Sequence, residues 1–223
     1  MTANDVRNRV FPIILCNTPG QWLSSAAFCG AAFLFFWAYH DWWRAKPYSL
    51  GTADEALALA ALMGLSVTLS LGPLCRLTGR FERALALRRP LALVAVCCAA
   101  AHIAVTLIFL SGKYGWNWIT SEWLSFLLGL AAALLLGFLA AMSFPWALQR
   151  FGREGWRRAQ QWSDVALGLV LLHFVVLGKF PKWLDWFAKL DQPAPPGTLP
   201  AFVVGALVLI LRAIARLSRA SAE

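Results

Sequence analysis

The chain has 223 residues, of which 60% are hydrophobic and only 14% are charged. Its mean hydropathy of +0.62 lies well above the average of soluble globular domains, so the composition excludes an ordinary soluble protein. The formal net charge of +9 would suit nucleic acid, but the basic residues lie in short blocks between apolar runs, a pattern typical of membrane topology signals.

Six apolar stretches follow one another along the chain, each of roughly 20 residues, which is long enough to cross about 30 Å of hydrocarbon as a helix. They cover residues 21–43, 54–75, 90–110, 122–146, 159–178 and 199–217. The sequence therefore predicts an all-α integral membrane bundle of six transmembrane helices over residues 21–217. Residues 1–20 and 218–223 are predicted to be cytoplasmic segments at the two termini.

The orientation is predicted from the arginines of the short loops. The second and fourth loops are rich in them, with Arg76, Arg80, Arg83, Arg88 and Arg89 in one and Arg150, Arg153, Arg157 and Arg158 in the other. Basic loops stay in the cytoplasm, and an even number of spans brings both termini to the same side. There they add Arg7, Arg9, Arg212, Arg216 and Arg219. We therefore expect a multi-pass protein of the bacterial inner membrane, with the lipid bilayer as a partner and no nucleic acid.

The segment before the last span has a helical pattern of its own. Over residues 181–191, Trp183, Trp186 and Phe187 share one face, while Lys182 and Lys189 share the other. Such a helix lies flat on a membrane surface, here the outer one. A proline-rich linker over residues 192–200 follows it. An interfacial anchor and a docking ledge for an external partner both fit this segment.

Two of the three histidines lie inside predicted spans. His102 follows Arg89 and His173 follows Arg158 at similar distances, so both imidazoles lie roughly 20 Å from the predicted cytoplasmic boundary. Two neutral imidazoles facing each other at one depth suit the axial positions of a heme iron, and small residues on the same helix face as His102 leave room for a porphyrin. Those residues are Ala95, Cys98, Ala99 and Thr106. The alternative is that each histidine hydrogen-bonds to a neighbour in a packed core.

The other polar residues predict less. The cysteines show no metal-binding spacing and mostly fall within spans, so we expect them to be buried small apolar residues. They are Cys16, Cys29, Cys75, Cys97 and Cys98. His40 lies near the outer end of the first span, where interfacial hydrogen bonding is expected. Arg88 and Arg89 lie at the cytoplasmic edge, where lipid phosphates are the expected partners. No soluble-enzyme motif is found.

Two stretches resemble the ferric-reductase-like transmembrane family. The first contains LGPLCRLTG and then RRPLALVA before His102; the second is ALQRFGREGWRRAQQW followed by LLHFVVLGK, which contains His173. Within the family the chain is similar to heme-binding membrane subunits of periplasmic methionine-sulfoxide reductase systems, over about residues 56–179. The resemblance implies a six-helix bundle in which His102 and His173 are the ligands of a heme b iron.

One position departs from the family pattern. A further histidine is expected after the tryptophan–arginine motif at the cytoplasmic start of the fifth span, and Gln160 stands there. Because an amide is a poor iron ligand, we expect one heme per chain. An electron from a cytoplasmic flavin enzyme would then have a long gap to cross, which favours a quinol as donor. Quinone and FMN are thus the further cofactors under consideration.

Two functions fit these observations. The first is a heme b electron-transfer subunit that passes electrons from quinol or a reductase to an external acceptor, such as a periplasmic oxidoreductase. The second is a structural or accessory subunit of a larger membrane complex that has kept the fold and lost its redox work. The presence of both His102 and His173 favours the first.

Overall fold

The structure is a computed structural model that describes residues 17–43, 48–113, 115–190 and 194–220. These residues form helices and no strand. The helices are α1 (Pro19–Ala38), α2 (Leu50–Thr78), α3 (Arg88–Ala104), α4 (Trp116–Ser121), α5 (Trp123–Met142), α6 (Pro145–Gln161), α7 (Ser163–Phe174), α8 (Phe180–Lys189) and α9 (Thr198–Ala220). Three π-helical turns, Tyr39–Trp43, Val105–Phe109 and Val175–Lys179, extend α1, α3 and α7. The predictions for Cys16, Arg7 and Arg9 fall outside the described residues.

Six helical segments are long and apolar enough to cross a membrane, which confirms the predicted number of spans. They are Pro19–Asp41, Leu50–Thr78, Glu82–Phe109, Trp123–Met142, Pro145–Lys189 and Thr198–Ser218. The second begins earlier than the predicted residue 54, because Ser49 is the N-cap of the helix. Its Oγ accepts a hydrogen bond from the backbone N–H of Thr52. Asp54, which the sequence placed at a boundary, therefore lies inside a helix.

Helix α2 lies at the centre of the bundle. It packs against α1, α3 and α9, and 56% of its membrane window is buried within the protein, compared with 17–28% for the other spans. Leu59 and Leu62 are each 1% exposed and form a core with Phe36 of α1, Leu171 of α7 and Val208 of α9. The other spans therefore have most of their surface available to lipid.

Small residues allow α1, α2 and α3 to approach one another closely. A Cβ atom added at Gly64 of α2 would lie 2.8 Å from the Ala95 Cβ and 3.1 Å from the Cys29 Sγ. Glycine and alanine bring helix backbones together in this way in many membrane proteins. Ala95, which is fully buried, therefore contributes to helix packing, and the interpretation that it leaves room for a porphyrin is wrong.

The predicted fourth loop is helical and contains α6. Ala147 and Ala159 of α6 are buried against Met142 at the end of α5, whereas Arg153 and Arg158 on the other face are exposed. The helix is kinked at Gly152, where a φ of 67° is readily adopted by glycine. The basic loop is thus an amphipathic helix at one end of the bundle.

Helix α8 covers most of the predicted segment 181–191, and its place on the outer membrane surface stays a prediction. Gly178 (φ 70°) turns the chain before it. Trp183 is 3% exposed; its Nε1 donates a hydrogen bond to the Thr198 Oγ1 at 2.9 Å, and its ring packs 4.8 Å from that of Phe202. Trp183 therefore attaches the aromatic face of α8 to the start of α9.

The alternating direction of the spans gives the bundle two chemically different ends. The start of α2, the end of α3, the start of α5 and the end of α7 share one end, which contains His102 and His173 and is called the histidine end. The opposite end, called the arginine end, contains Arg88 at the start of α3 and Arg212 in the last part of α9.

Candidate functional site

His102 is held by a carboxylate from the central helix. Its Nδ1 lies 2.8 Å from the Oδ1 of Asp54. The other carboxylate oxygen, Oδ2, accepts a hydrogen bond from the Thr106 Oγ1 at 2.9 Å. Asp54 is only 4% exposed, and a buried carboxylate needs such partners because removing it from water is costly. Asp54 therefore sets the orientation of the imidazole.

His173 is held by the backbone of a different helix. Its Nδ1 lies 2.8 Å from the carbonyl oxygen of Ser125 and 3.1 Å from the Oγ of the same residue, at the start of α5. A Cβ atom added at Gly129, one turn further on, would lie 3.1 Å from the same nitrogen. The absence of a side chain at Gly129 thus lets the imidazole lie against α5.

The two imidazoles share one mode of attachment. In each ring the hydrogen bonds found among the described residues use Nδ1. A proton on Nδ1 leaves the Nε2 lone pair available, which is how iron-binding and zinc-binding histidines are usually prepared. The packed-core alternative also expects each histidine to hydrogen-bond to a neighbour, so heme ligation stays a prediction.

Sequence reasoning did not identify Asp54 or Ser125. Asp54 was visible as an acidic residue beside an apolar run. Helix α2 begins four residues before it, and a prediction of that start would have placed Asp54 inside the span. Ser125 acts mainly through its backbone carbonyl, for which no sequence signal exists. Asp54 and Ser125 each lie 48 positions in the sequence from the histidine that they contact. A short sequence motif therefore cannot contain either pair.

His40 belongs to a second polar cluster at the histidine end. It is 3% exposed, and its Nε2 lies 3.5 Å from the Oε2 of Glu55. The other oxygen of Glu55 lies 3.5 Å from the Nζ of Lys179. His40 was expected to make interfacial hydrogen bonds; the structure instead buries it beside a carboxylate. Neighbouring residues of α2, Asp54 and Glu55, thus bind two different sets of partners.

The arginine end contains a cavity of about 270 Å³ between α2, α3, α5, α6 and α7. Gln160, the residue that departs from the family pattern, lies in its wall together with Arg88, Arg89 and Ser143. Arg88 was read as a loop residue, but it begins α3 and faces this cavity. The wall contains no histidine, cysteine or methionine, so none of its side chains is an effective iron ligand.

The cysteines are free thiols in the part of the chain that the structure covers. Cys29 is buried as expected, whereas Cys75 and Cys98 are half-buried and Cys97 is exposed on the surface of the bundle. Among the described residues, no three histidine, cysteine, aspartate or glutamate side chains come together to hold a metal ion. A heme iron requires only two protein ligands, since the porphyrin supplies the other four.

Residues 56–172 match the family described as ferric reductase like transmembrane component. The chain belongs to this family. The match covers more than half of the chain and contains α3 with His102, and it ends one residue before His173. Membership in the ferric reductase like family indicates a role in membrane electron transfer, and members of that family typically bind heme.

Proposed function

We propose that this protein is a heme b electron-transfer subunit in which His102 and His173 are the axial ligands of one heme. The observation that carries the proposal is the paired anchoring of the two imidazoles through Nδ1 at the same end of the bundle. Two anchored histidines with available Nε2 atoms fit the ligand requirement of a six-coordinate heme. The heme would supply the one-electron chemistry.

The protein residues around the histidines perform distinct tasks. Asp54 accepts a hydrogen bond from the Nδ1–H of His102, which keeps the proton away from Nε2 and increases the electron donation of the ring. The Ser125 carbonyl does the same for His173 with a neutral acceptor. A low-dielectric site with rigid ligands limits the reorganisation that accompanies electron transfer.

The direction of electron flow rests on the resemblance and on the arginine loops. We infer that quinol or a reductase supplies electrons, and that a periplasmic oxidoreductase of the methionine-sulfoxide reductase type accepts them at the histidine end. FMN is a further candidate cofactor. Arginine-rich ends of membrane proteins face the cytoplasm, so the histidine end would face the periplasm of a bacterial inner membrane, and the 218–223 segment would be cytoplasmic.

This orientation predicts the result of a reporter experiment. Alkaline phosphatase inserted near Pro195 should be active, because that position lies between α8 and α9 at the histidine end. A fluorescent protein fused after Glu223 should fluoresce in the cytoplasm. The reverse pair of signals would contradict the proposed orientation, and reporters on the same side would contradict a membrane crossing by α9.

The heme content of the native protein is expected to be about one per chain. Gln160 lies in the wall of the cavity at the arginine end, where the family pattern has a histidine, and no neighbouring wall residue replaces the ligand. Heme measured as pyridine hemochrome and iron measured by elemental analysis should therefore agree at a ratio near one. A ratio near two would require a second ligand pair, and a ratio near zero would favour the structural-subunit function.

A further inference from the structure

The arginine end contains a half-buried arginine, Arg88, that has no compensating anion among the described residues. Arg88 begins α3, and its guanidinium lies against α2, where a Cβ atom at Gly72 would be 3.5 Å from its Nη1. The Arg88 Nε is buried and has no hydrogen-bond partner among the described residues. Arg76 and Arg212, whose charges act on Arg88, are also positive.

The Arg88 guanidinium cannot become neutral by losing a proton. A guanidinium stays protonated in proteins, and a buried charge without an opposite charge is strongly destabilising. Asp164, a described carboxylate of this end, already pairs with Arg212 and Arg216. The Glu154 carboxylate pairs with Arg157, the third arginine of the cavity wall, at 3.0 Å. None of the described residues that line the cavity is acidic, so its positive charge is open to an anionic ligand.

The cavity wall has a polar part and an apolar part, which match the headgroup and the acyl chain of a phospholipid. One part of its wall offers hydrogen-bond donors, from Arg88, Arg89, Ser143, Trp156 and Gln160. The other part is apolar and is formed by Leu65, Leu69, Val96, Leu136, Leu139 and Leu167. Its volume of about 270 Å³ is close to the lower end of ligand pockets, about 300 Å³, which is enough for a phosphate and the first part of an acyl chain.

We propose that this cavity is a specific site for the phosphate of an anionic membrane lipid, with Arg88 as the principal contact. Phosphate oxygens match the planar fork of a guanidinium, which can bind them through two parallel hydrogen bonds. The acyl chain would lie between α2, α3 and α5. The lipid would neutralise Arg88 and fill the space beside Gln160. This site does not depend on heme binding at the opposite end.

The test measures lipid binding to the intact, delipidated protein in detergent by native mass spectrometry. The probe is phosphatidylglycerol, with zwitterionic phosphatidylcholine as the comparison lipid. Arg88→Gln should weaken phosphatidylglycerol binding about tenfold or more, because hydrogen bonds to charged groups are among the strongest in proteins. The matched control is Arg80→Gln, which removes the same charge from an exposed position at the same end and should bind the lipid like the native chain.

A second variant tests the apolar part of the cavity and serves if Arg88→Gln does not fold. Ala140 lines the cavity, and Ala140→Leu should reduce phosphatidylglycerol binding while Arg88 is intact. Inorganic phosphate at the same concentration should not displace the lipid. Equal binding by the native protein, Arg88→Gln and Ala140→Leu would overturn the proposal. Displacement by inorganic phosphate would show a free-anion site and overturn the assignment to lipid.

Discussion

Replacing either His102 or His173 with alanine is expected to abolish the low-spin heme spectrum of the purified protein. Both axial positions of the iron would be filled by these imidazoles, whose Nδ1 atoms are already occupied by Asp54 and Ser125. Loss of one ligand leaves the iron five-coordinate and weakens retention of the group. The measurement is the visible spectrum of the reduced protein together with its heme content per chain.

Controls separate loss of heme from loss of fold. His102→Ala leaves the carboxylate of Asp54 buried without its partner, which can cost about 3–5 kcal/mol, so His102→Gln is a useful second variant because its amide can still donate to Asp54. His40→Gln changes the remaining histidine, at the same end of the bundle, and should keep the spectrum. Unchanged spectra in the His102 and His173 variants of inserted protein would reject the ligand assignment.

Asp54→Asn is expected to raise the midpoint potential of the heme without removing it. The amide oxygen of asparagine can still accept the hydrogen bond from His102, but it carries no charge. A carboxylate makes the imidazole a stronger donor and stabilises the oxidised iron, so its neutralisation favours the reduced state. Asp54→Ala removes the acceptor as well and should lower heme affinity about 10–100-fold. Spectroelectrochemical titration gives the potential, and heme transfer to apomyoglobin gives the affinity.

Thr106→Val provides the matched control for Asp54. The hydroxyl of Thr106 donates to the second oxygen of the same carboxylate, and valine has nearly the same shape. This variant should leave the heme ligand and the negative charge in place, and therefore shift the potential much less than Asp54→Asn. A purely structural role for Asp54 would instead lower stability in both variants and leave the potential unchanged.

The number and order of the spans followed from the sequence because a bilayer imposes a length on every apolar run. The fourth loop was harder to read. Ala147 and Ala159 give α6 its buried positions, and the arginines around them resemble a loop as much as a polar helix face. The start of α2 was missed for a related reason: its cap at Ser49 precedes the apolar run, so the polar first turns were assigned to a loop.

The candidate site could be predicted only in part. His102 and His173 were visible because ionisable residues are rare inside membrane spans. Their partners were not, since Asp54 and Ser125 are brought to them by tertiary packing and Ser125 acts mainly through a backbone carbonyl. The placement of Ala95 against Gly64 was also inaccessible, because a small residue on a helix face fits both close packing and an open space.

The central position of α2 also bears on how the chain is assembled during synthesis. Asp54 and Glu55 in its first turns bind His102, His40 and Lys179, and Lys179 is synthesised more than 120 residues after them. The ion pair between Glu55 and Lys179 can form only after that point, so the second span enters the membrane before this contact exists. We expect α2 to reach its final packing only after the fifth span is inserted. Assembly of the bundle would then be a late, cooperative step between helices that are distant in the sequence.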